Sequence, residues 1–287
     1  MAGNEIDSGV DYEFFYVEET AFGVLETSPT FIKVGIVNGG SIKFKNEVIK
    51  HKGIGTDHVI ASSHSKQESS GSVKMESTDA VVEFLKTLHE NPDKSYTLLF
   101  KASGNSTRWA YSLGNRLSSI SYDVKDGEAI KVEVGVEGAG FDTATADPFT
   151  TPTYGTWTNS ASYIWSDTSV TKGANWAVPG AINEVSGFSF KASWGVKKKW
   201  HLNQGNLPAR VQQTGYEADG SMTLDLENGE QYDAIVDQEG GDLTIPISTT
   251  YTVTLTNAKF KDGEFPVDEM ALIEYKMGFD YEELTIA

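Results

Sequence analysis

The chain has 287 residues, no cysteine, and 41 Asp and Glu against 23 Lys and Arg, for a formal net charge of −18. A hydrophobic fraction of 39% is enough to bury a core and excludes wholesale disorder. The missing cysteine excludes disulfides, thiolate metal sites and a cysteine nucleophile, and the acidity argues against electrostatic affinity for nucleic acid or anionic lipid.

Residues 1–10 carry neither a basic nor an apolar leader segment, so the chain is expected to be made in a cytosol. Asn38-Gly39-Gly40 lies between residues 32–37 and 41–46, which predicts a hairpin turn there. Residues 53–71 hold His58, Ser62, Ser63, His64, Ser65, Lys66, Glu68, Ser69 and Ser70 and read as a long polar loop; loops of this length are commonly functional. A helix is predicted over 80–90, with Ser77 or Thr78 as cap, Asn91-Pro92 as stop, and Val81, Phe84, Leu85 and Leu88 on one face. Residues 119–125 and 128–136 flank Asp126-Gly127, a second hairpin signal, and residues 130–137 alternate without a break.

Residues 143–180 differ in composition, being rich in Thr, Ser, Gly and aromatics (Tyr154, Trp157, Tyr163, Trp165, Trp176). They read as a linker whose aromatics form a small core or, alternatively, a sugar- or partner-binding platform. Residues 205–220, with Pro208, Arg210, Gln212, Gln213 and Tyr216, read as a second long polar loop. A weaker helix is expected over 230–238, and residues 250–255 alternate as a strand. No apolar run approaches the roughly 18 residues of a membrane helix. The fold class is mostly β, with one short helix in each half.

An internal repeat is expected. Val124-Lys125-Asp126-Gly127-Glu128 matches Phe260-Lys261-Asp262-Gly263-Glu264; Gly71-Ser72-Val73-Lys74-Met75 matches Gly220-Ser221-Met222-Thr223-Leu224; Ser41-Ile42-Lys43-Phe44-Lys45 matches Gly195-Val196-Lys197-Lys198-Lys199. The order suggests two tandem β-sandwich domains, 1–142 and 181–287, joined by 143–180.

The chemistry is sparse. His51, His58 and His64 have neither helical spacing nor a paired carboxylate, so ordinary polar histidines are favoured over a zinc site. No phosphate-loop, zincin, EF-hand or nucleophile-elbow motif occurs. Glu18-Glu19 and Asp268-Glu269 read as solvated faces. Lys197-Lys198-Lys199, between Trp194 and Trp200, is either an edge strand protected by lysine or an ion-pair contact with an acidic neighbouring subunit.

Val17-Glu18-Glu19-Thr20-Ala21-Phe22-Gly23-Val24-Leu25-Glu26-Thr27-Ser28-Pro29 resembles the opening of major tail tube proteins of long-tailed phages and related archaeal viruses, which often have an E-x-x-x-G-x-x-x-x-x-P segment before the first strand. Two tandem β domains with one helix each resemble the duplicated form of that fold. The resemblance implies a virion structural protein, without enzymatic activity or cofactor, that closes into trimeric rings stacked as a tube. Inter-ring loops would lie at 53–70 and 204–219, with His58, His64, Lys66, Glu68, Arg210, Gln213 and Tyr216 as contacts. Lys197, Lys198 and Lys199 would serve inter-subunit strand contacts. Other copies of the chain and the tail terminator, tape-measure and tip proteins would be its partners. DNA would pass through an acidic lumen without binding. The competing readings are a carbohydrate-binding or adhesin module, which needs an exposed aromatic groove, and a polysaccharide-active enzyme, which needs two facing carboxylates.

Overall fold

The structure, a computed structural model, describes residues 12–24, 27–35, 37–52, 59–102, 108–156, 161–173, 185–201, 205–225, 240–247, 250–264 and 274–287. The first half runs β1 (Tyr12–Glu18), β2 (Thr30–Lys33), β3 (Val37–Lys52), β4 (Val59–Glu76), α1 (Asp79–Glu90), β5 (Tyr96–Ala102), β6 (Trp109–Lys125), β7 (Lys131–Gly138) and β8 (Gly140–Ala144). The short β9 (Thr153–Tyr154) and β10 (Thr171–Lys172) bracket a 3-10 turn. The second half follows with β11 (Val185–Lys199), β12 (Arg210–Asp225), β13 (Gly240–Pro246), β14 (Thr252–Glu264), β15 (Glu274–Asp280) and β16 (Glu283–Ile286). The chain is mostly β, as its alternation predicts.

The helix begins where its cap is strongest. Thr78 accepts a hydrogen bond from the Val81 amide, and Val81, Val82, Phe84, Leu85 and Leu88 are buried, so an amphipathic stripe docks one face on the sheet. Asp126-Gly127 turns between β6 and β7, with Gly127 at φ 71°, a backbone state that favours glycine. The second expected helix, 230–238, lies outside the described residues, as do Trp157, Trp176 and Asp268-Glu269.

Four sequence expectations are corrected. Asn38-Gly39-Gly40 does not turn. It belongs to β3, where Gly39 and Gly40 lie opposite Lys74 and Val73, and a side chain on Gly40 would come within 3.1 Å of the Ser72 carbonyl; close approach, not a turn, selects the glycine. The polar segments 59–71 and 210–220 are strand, not loop. They pair along β3 and β11 out to Lys52↔Val59 and Lys199↔Arg210, and the partner strand satisfies the backbone where no apolar face marks the segment. Asp262-Gly263 lies inside β14, so its resemblance to the Asp126-Gly127 turn is not structural. Glu19 is 6% exposed. Its carboxylate accepts from the Gly23 amide (2.8 Å), Ser95 Oγ (2.7 Å), Thr97 Oγ1 (2.9 Å) and the Gly114 amide (2.8 Å). A buried carboxylate is tolerated when donors surround it in this way.

Among the described residues the strands form one continuous network of 16 that does not close on itself. Its spine runs β3-β4-β7-β6-β11-β12-β15-β14. β6 is shared between two layers: residues 109–115 pair with β5 and β8, while residues 116–125 pair with β7 and β11. The main core lies between one face of the spine and α1, built on Phe84, Leu85, Ile120, Tyr122, Val134, Phe188, Phe190 and Phe279 among others. A smaller core gathers Phe15, Phe31, Leu99, Trp109, Tyr111 and Phe149, with Tyr154 packed against it. The described aromatics of the linker therefore point inward. Tyr154 stacks on Phe31 at 5.5 Å, and Tyr163 and Trp165 pack on the main core.

The halves meet through β6 and β11, antiparallel from Gly187↔Lys125 to Ser193↔Ser119. Side chains reinforce that seam. Lys198 is 8% exposed, lies 2.7 Å from Glu137 and 3.6 Å from Glu68, and donates to the Ser69 carbonyl at 2.9 Å. Gln213 donates to the Leu117 carbonyl at 2.6 Å, and His89 on α1 bonds the Leu284 carbonyl at 2.7 Å.

Three outcomes follow for stability. Glu19→Ala leaves four donors unpaired and is expected to lower unfolding free energy by about 3 kcal/mol, read by urea denaturation. Lys198→Met leaves two carboxylates facing each other. The expected loss is about 2 kcal/mol, below the ~3–5 of a fully buried pair because both carboxylates retain water. Burial pushes Tyr216 up to about 12, and burial with the nearby Asp142 carboxylate does the same to Tyr111. These phenols, raised above their ordinary 10.0, contribute stability that is full below pH 10 and lost as pH rises through about 12. Their phenolate absorbance should appear with unfolding rather than along a free-tyrosine curve.

Candidate assembly surface

Two features define the surface: the sheet edges left open and the hairpins that project beside the seam. In the first hairpin, β3–β4, Lys66 lies 3.8 Å from Glu47 and 5.0 Å above the Trp200 ring, while Glu68 sits between Lys45 and Lys198, 3.6 Å from each. The Gln67 amide donates to the Asn206 carbonyl at 2.8 Å. His64 holds a β4 position opposite Val48, and His58 lies outside the described residues. In the second hairpin, β11–β12, Arg210 and Lys199 are exposed and opposite each other, Lys197 is exposed opposite Gln212, and Tyr216 packs on Trp194 at 5.5 Å. The structure thus brings Glu68 and Lys198 together within the chain, sets Lys66 against Glu47 and Trp200, leaves Lys197, Lys199 and Arg210 facing solvent, and turns Gln213 and Tyr216 inward. Arg116, beside this seam, donates to the Pro92 and Asp93 carbonyls, and burial draws its pKa below the ordinary value.

The spine presents two edges. β3 pairs with β4 on one side and has no strand on the other among the described residues. Residues 260–264 of β14 pair with β15 and likewise have no second strand among the described residues, because β13 reaches only to Gly240↔Lys259. An edge of this kind displays unpaired amides and carbonyls. Sequence reading passed over both. The available signal was Phe44, an aromatic alternating with Lys43 and Lys45; it is 60% exposed, far above what a strand interior allows.

The polar face of the spine carries both charge signs in cross-strand rows. Asp123, Lys125, Lys131, Glu133, Lys74, Lys191 and Asp219 share it by register, with ion pairs at 3.0 Å (Lys125–Asp123) and 3.9 Å (Lys74–Glu133). Asp280 bonds Lys261 at 2.7 Å and holds its pKa above the ordinary value. Among the described residues no group of three or more His, Asp or Glu is placed to hold a metal ion, and no helix is long and apolar enough to cross a membrane.

No curated protein matches the chain. Solved chains with similar structure include one from the tail of an empty gene transfer agent particle refined with C6 symmetry (14% identity, 48% of this chain and 96% of that one, TM-score 0.34). Another comes from the virion of a native gene transfer agent (12%, 48% and 98%, TM-score 0.34). A third comes from the six-fold symmetrised baseplate of the anti-feeding prophage (7%, 48% and 94%, TM-score 0.33). The model of the phage tail tube protein family matches residues 9–280, nearly the whole length, including the Glu19–Gly23 contact and both open edges. The chain belongs to the phage tail tube protein family, structural components of the virion tail.

Proposed function

We propose that this chain is the repeating subunit of a tail tube and that it closes into rings by joining its own sheet edges, the rings stacking around a channel for DNA. The observation that carries the reading is the strand order. The group β3-β4-β7-β6 recurs as β11-β12-β15-β14, and the registers correspond. Ser41↔Ser72 matches Ser189↔Ser221, Gly71↔Val136 matches Gly220↔Phe279, and Ser119↔Gly135 matches Asp262↔Gly278. These registers support a tandem duplication; they align Ser41 with Ser189 rather than with Gly195, and they leave the Lys-Asp-Gly-Glu match outside the correspondence. Two such units joined in series make a head-to-tail building block, and heterologous contacts of that kind close into rings when the rotation permits. With two units per chain, three chains give a ring of six units.

In such a ring the core and α1 lie on one side of the spine and the polar face on the other, available to line the channel. Phosphate is repelled by net negative charge and held by clustered lysine. The chain's −18, together with lysines that are largely ion-paired on this face, suits passage without binding. The tail terminator, tape-measure and tip proteins would meet the tube at its ends and lumen. The hairpins β3–β4 and β11–β12 project at neighbouring positions and are suited to reach the next ring, with Lys197, Lys199 and Arg210 free to make contacts there.

Negative-stain microscopy of the concentrated protein is expected to show rings or tubes with a central channel; monomers at all concentrations would overturn the reading. Replacing Asp123, Glu133 and Asp219 together with Lys is expected to make assembled tubes retain duplex DNA at low salt where the unmodified tubes do not, measured by co-sedimentation.

A further inference from the structure

The seam inside the chain specifies the seam between chains. This inference rests on the ring reading and goes further, to the residues that meet. Within the chain, β6 offers its edge to β11 with Ser119 opposite Ser193, Ile120 opposite Ala192 and Ser121 opposite Lys191. Register correspondence places Asp262, Gly263 and Glu264 of β14 where Ser119, Ile120 and Ser121 stand, because Asp262 and Ser119 face Gly278 and Gly135 respectively. It places Lys43, Phe44 and Lys45 of β3 where Lys191, Ala192 and Ser193 stand, because their partners Ser70, Ser69 and Glu68 hold the places of Asp219, Ala218 and Glu217.

We propose that β14 of one copy pairs antiparallel with β3 of a second copy, with Asp262 opposite Lys45, Gly263 opposite Phe44 and Glu264 opposite Lys43. Two independent features support this register. The first is charge. Both acidic positions fall opposite lysines, and opposite charges directly across a ladder are favourable while like charges are not. The same lysines disfavour β3 pairing with another β3, and the same acids disfavour β14 pairing with another β14, so the charges enforce head-to-tail order.

The second is burial. Ala192 and Phe190 are 0% and 2% exposed, and Phe190 stacks on Tyr122 of the other half at 5.0 Å. Their counterparts on β3 lack such cover: Ile42 is half-buried and Phe44 is 60% exposed, resting only on Phe141 at 5.8 Å. A groove of about 320 Å³ runs beside them, lined by Val37, Ile42, Phe100, Ala110 and Phe141. Its walls Phe100, Ala110 and Phe141 correspond by register to Ile245, Val253 and Leu284, which are 1%, 0% and 1% exposed on the side where α1 of the first half reaches Leu284. The groove and Phe44 are thus the uncovered version of a surface that the chain covers elsewhere with its own first half. The matching occupant is the second half of another copy.

The absence of cysteine makes the test direct. Facing residues of an antiparallel ladder have Cα atoms about 4.5–5.5 Å apart, within the range a disulfide spans. Lys45→Cys and Asp262→Cys variants are assembled separately and as an equal mixture, then oxidised. A covalent dimer is expected in the mixture and in neither variant alone; no dimer in the mixture, or dimers within one variant, would overturn the register. In a second arm, K43D/K45D is expected to raise the concentration needed for assembly by about tenfold, and adding D262K/E264K, which returns the net charge to its original value, is expected to restore it; failure to restore would overturn the charge pairing. Rings without the cross-link would reject this register while leaving the ring reading intact. Cross-linked open chains without rings would uphold the register and reject closure.

Discussion

Everything in this chain depends on what happens at the edge of a β-sheet. A strand with a neighbour on only one side leaves a row of amides and carbonyls unpaired, and proteins normally blunt such edges. Here one edge is satisfied internally. β6 of the first half meets β11 of the second over seven residue pairs, with Lys198, Gln213 and His89 bonding across the same seam. The other two edges, on β3 and on the end of β14, have no partner strand among the described residues and carry charge of opposite sign. In the proposed ring, the amides and carbonyls along these edges would pair with those of other copies.

The charge of the chain acts at two scales. Locally, Lys198 sits between Glu68 and Glu137, and rows of opposite charge alternate across the polar face, so most lysines there are engaged by their own strands. Over the whole molecule the excess is strongly negative, and engaged lysines offer little to a phosphate backbone. Lining the proposed channel, a mixed-charge wall with its lysines engaged in this way would offer few free cations to a passing phosphate backbone.

Much of the fold was legible where periodicity has a direct physical cause. The helix over 79–90 follows from an apolar stripe and a Thr78 cap, and the β6–β7 hairpin from Asp126-Gly127. The Gly71 and Gly220 markers occupy corresponding ladder positions. The failures share one origin. The outer parts of β4 and β12 lack the regular apolar–polar alternation that identifies a strand, so they read as loops. Asn38-Gly39-Gly40 resembled a turn because sequence does not distinguish a glycine needed for positive φ from one, such as Gly40, needed for close approach. Glu19 read as a solvated acid because its four donors come from residues 23, 95, 97 and 114, three of them far along the chain. The open edges were missed for a related reason: which strand lacks a neighbour is a property of topology, and the alternation of Phe44 with Lys43 and Lys45 is only an indirect sign of it.

The most direct measurement is a cryo-electron microscopy map of assembled tubes at a resolution that separates strands about 4.7 Å apart. The account predicts an unbroken barrel around the channel in which β3 of each chain lies next to β14 of its neighbour, with three chains to a ring and the core and α1 outside. A barrel interrupted between chains, or one in which β3 meets any element other than β14, would contradict it.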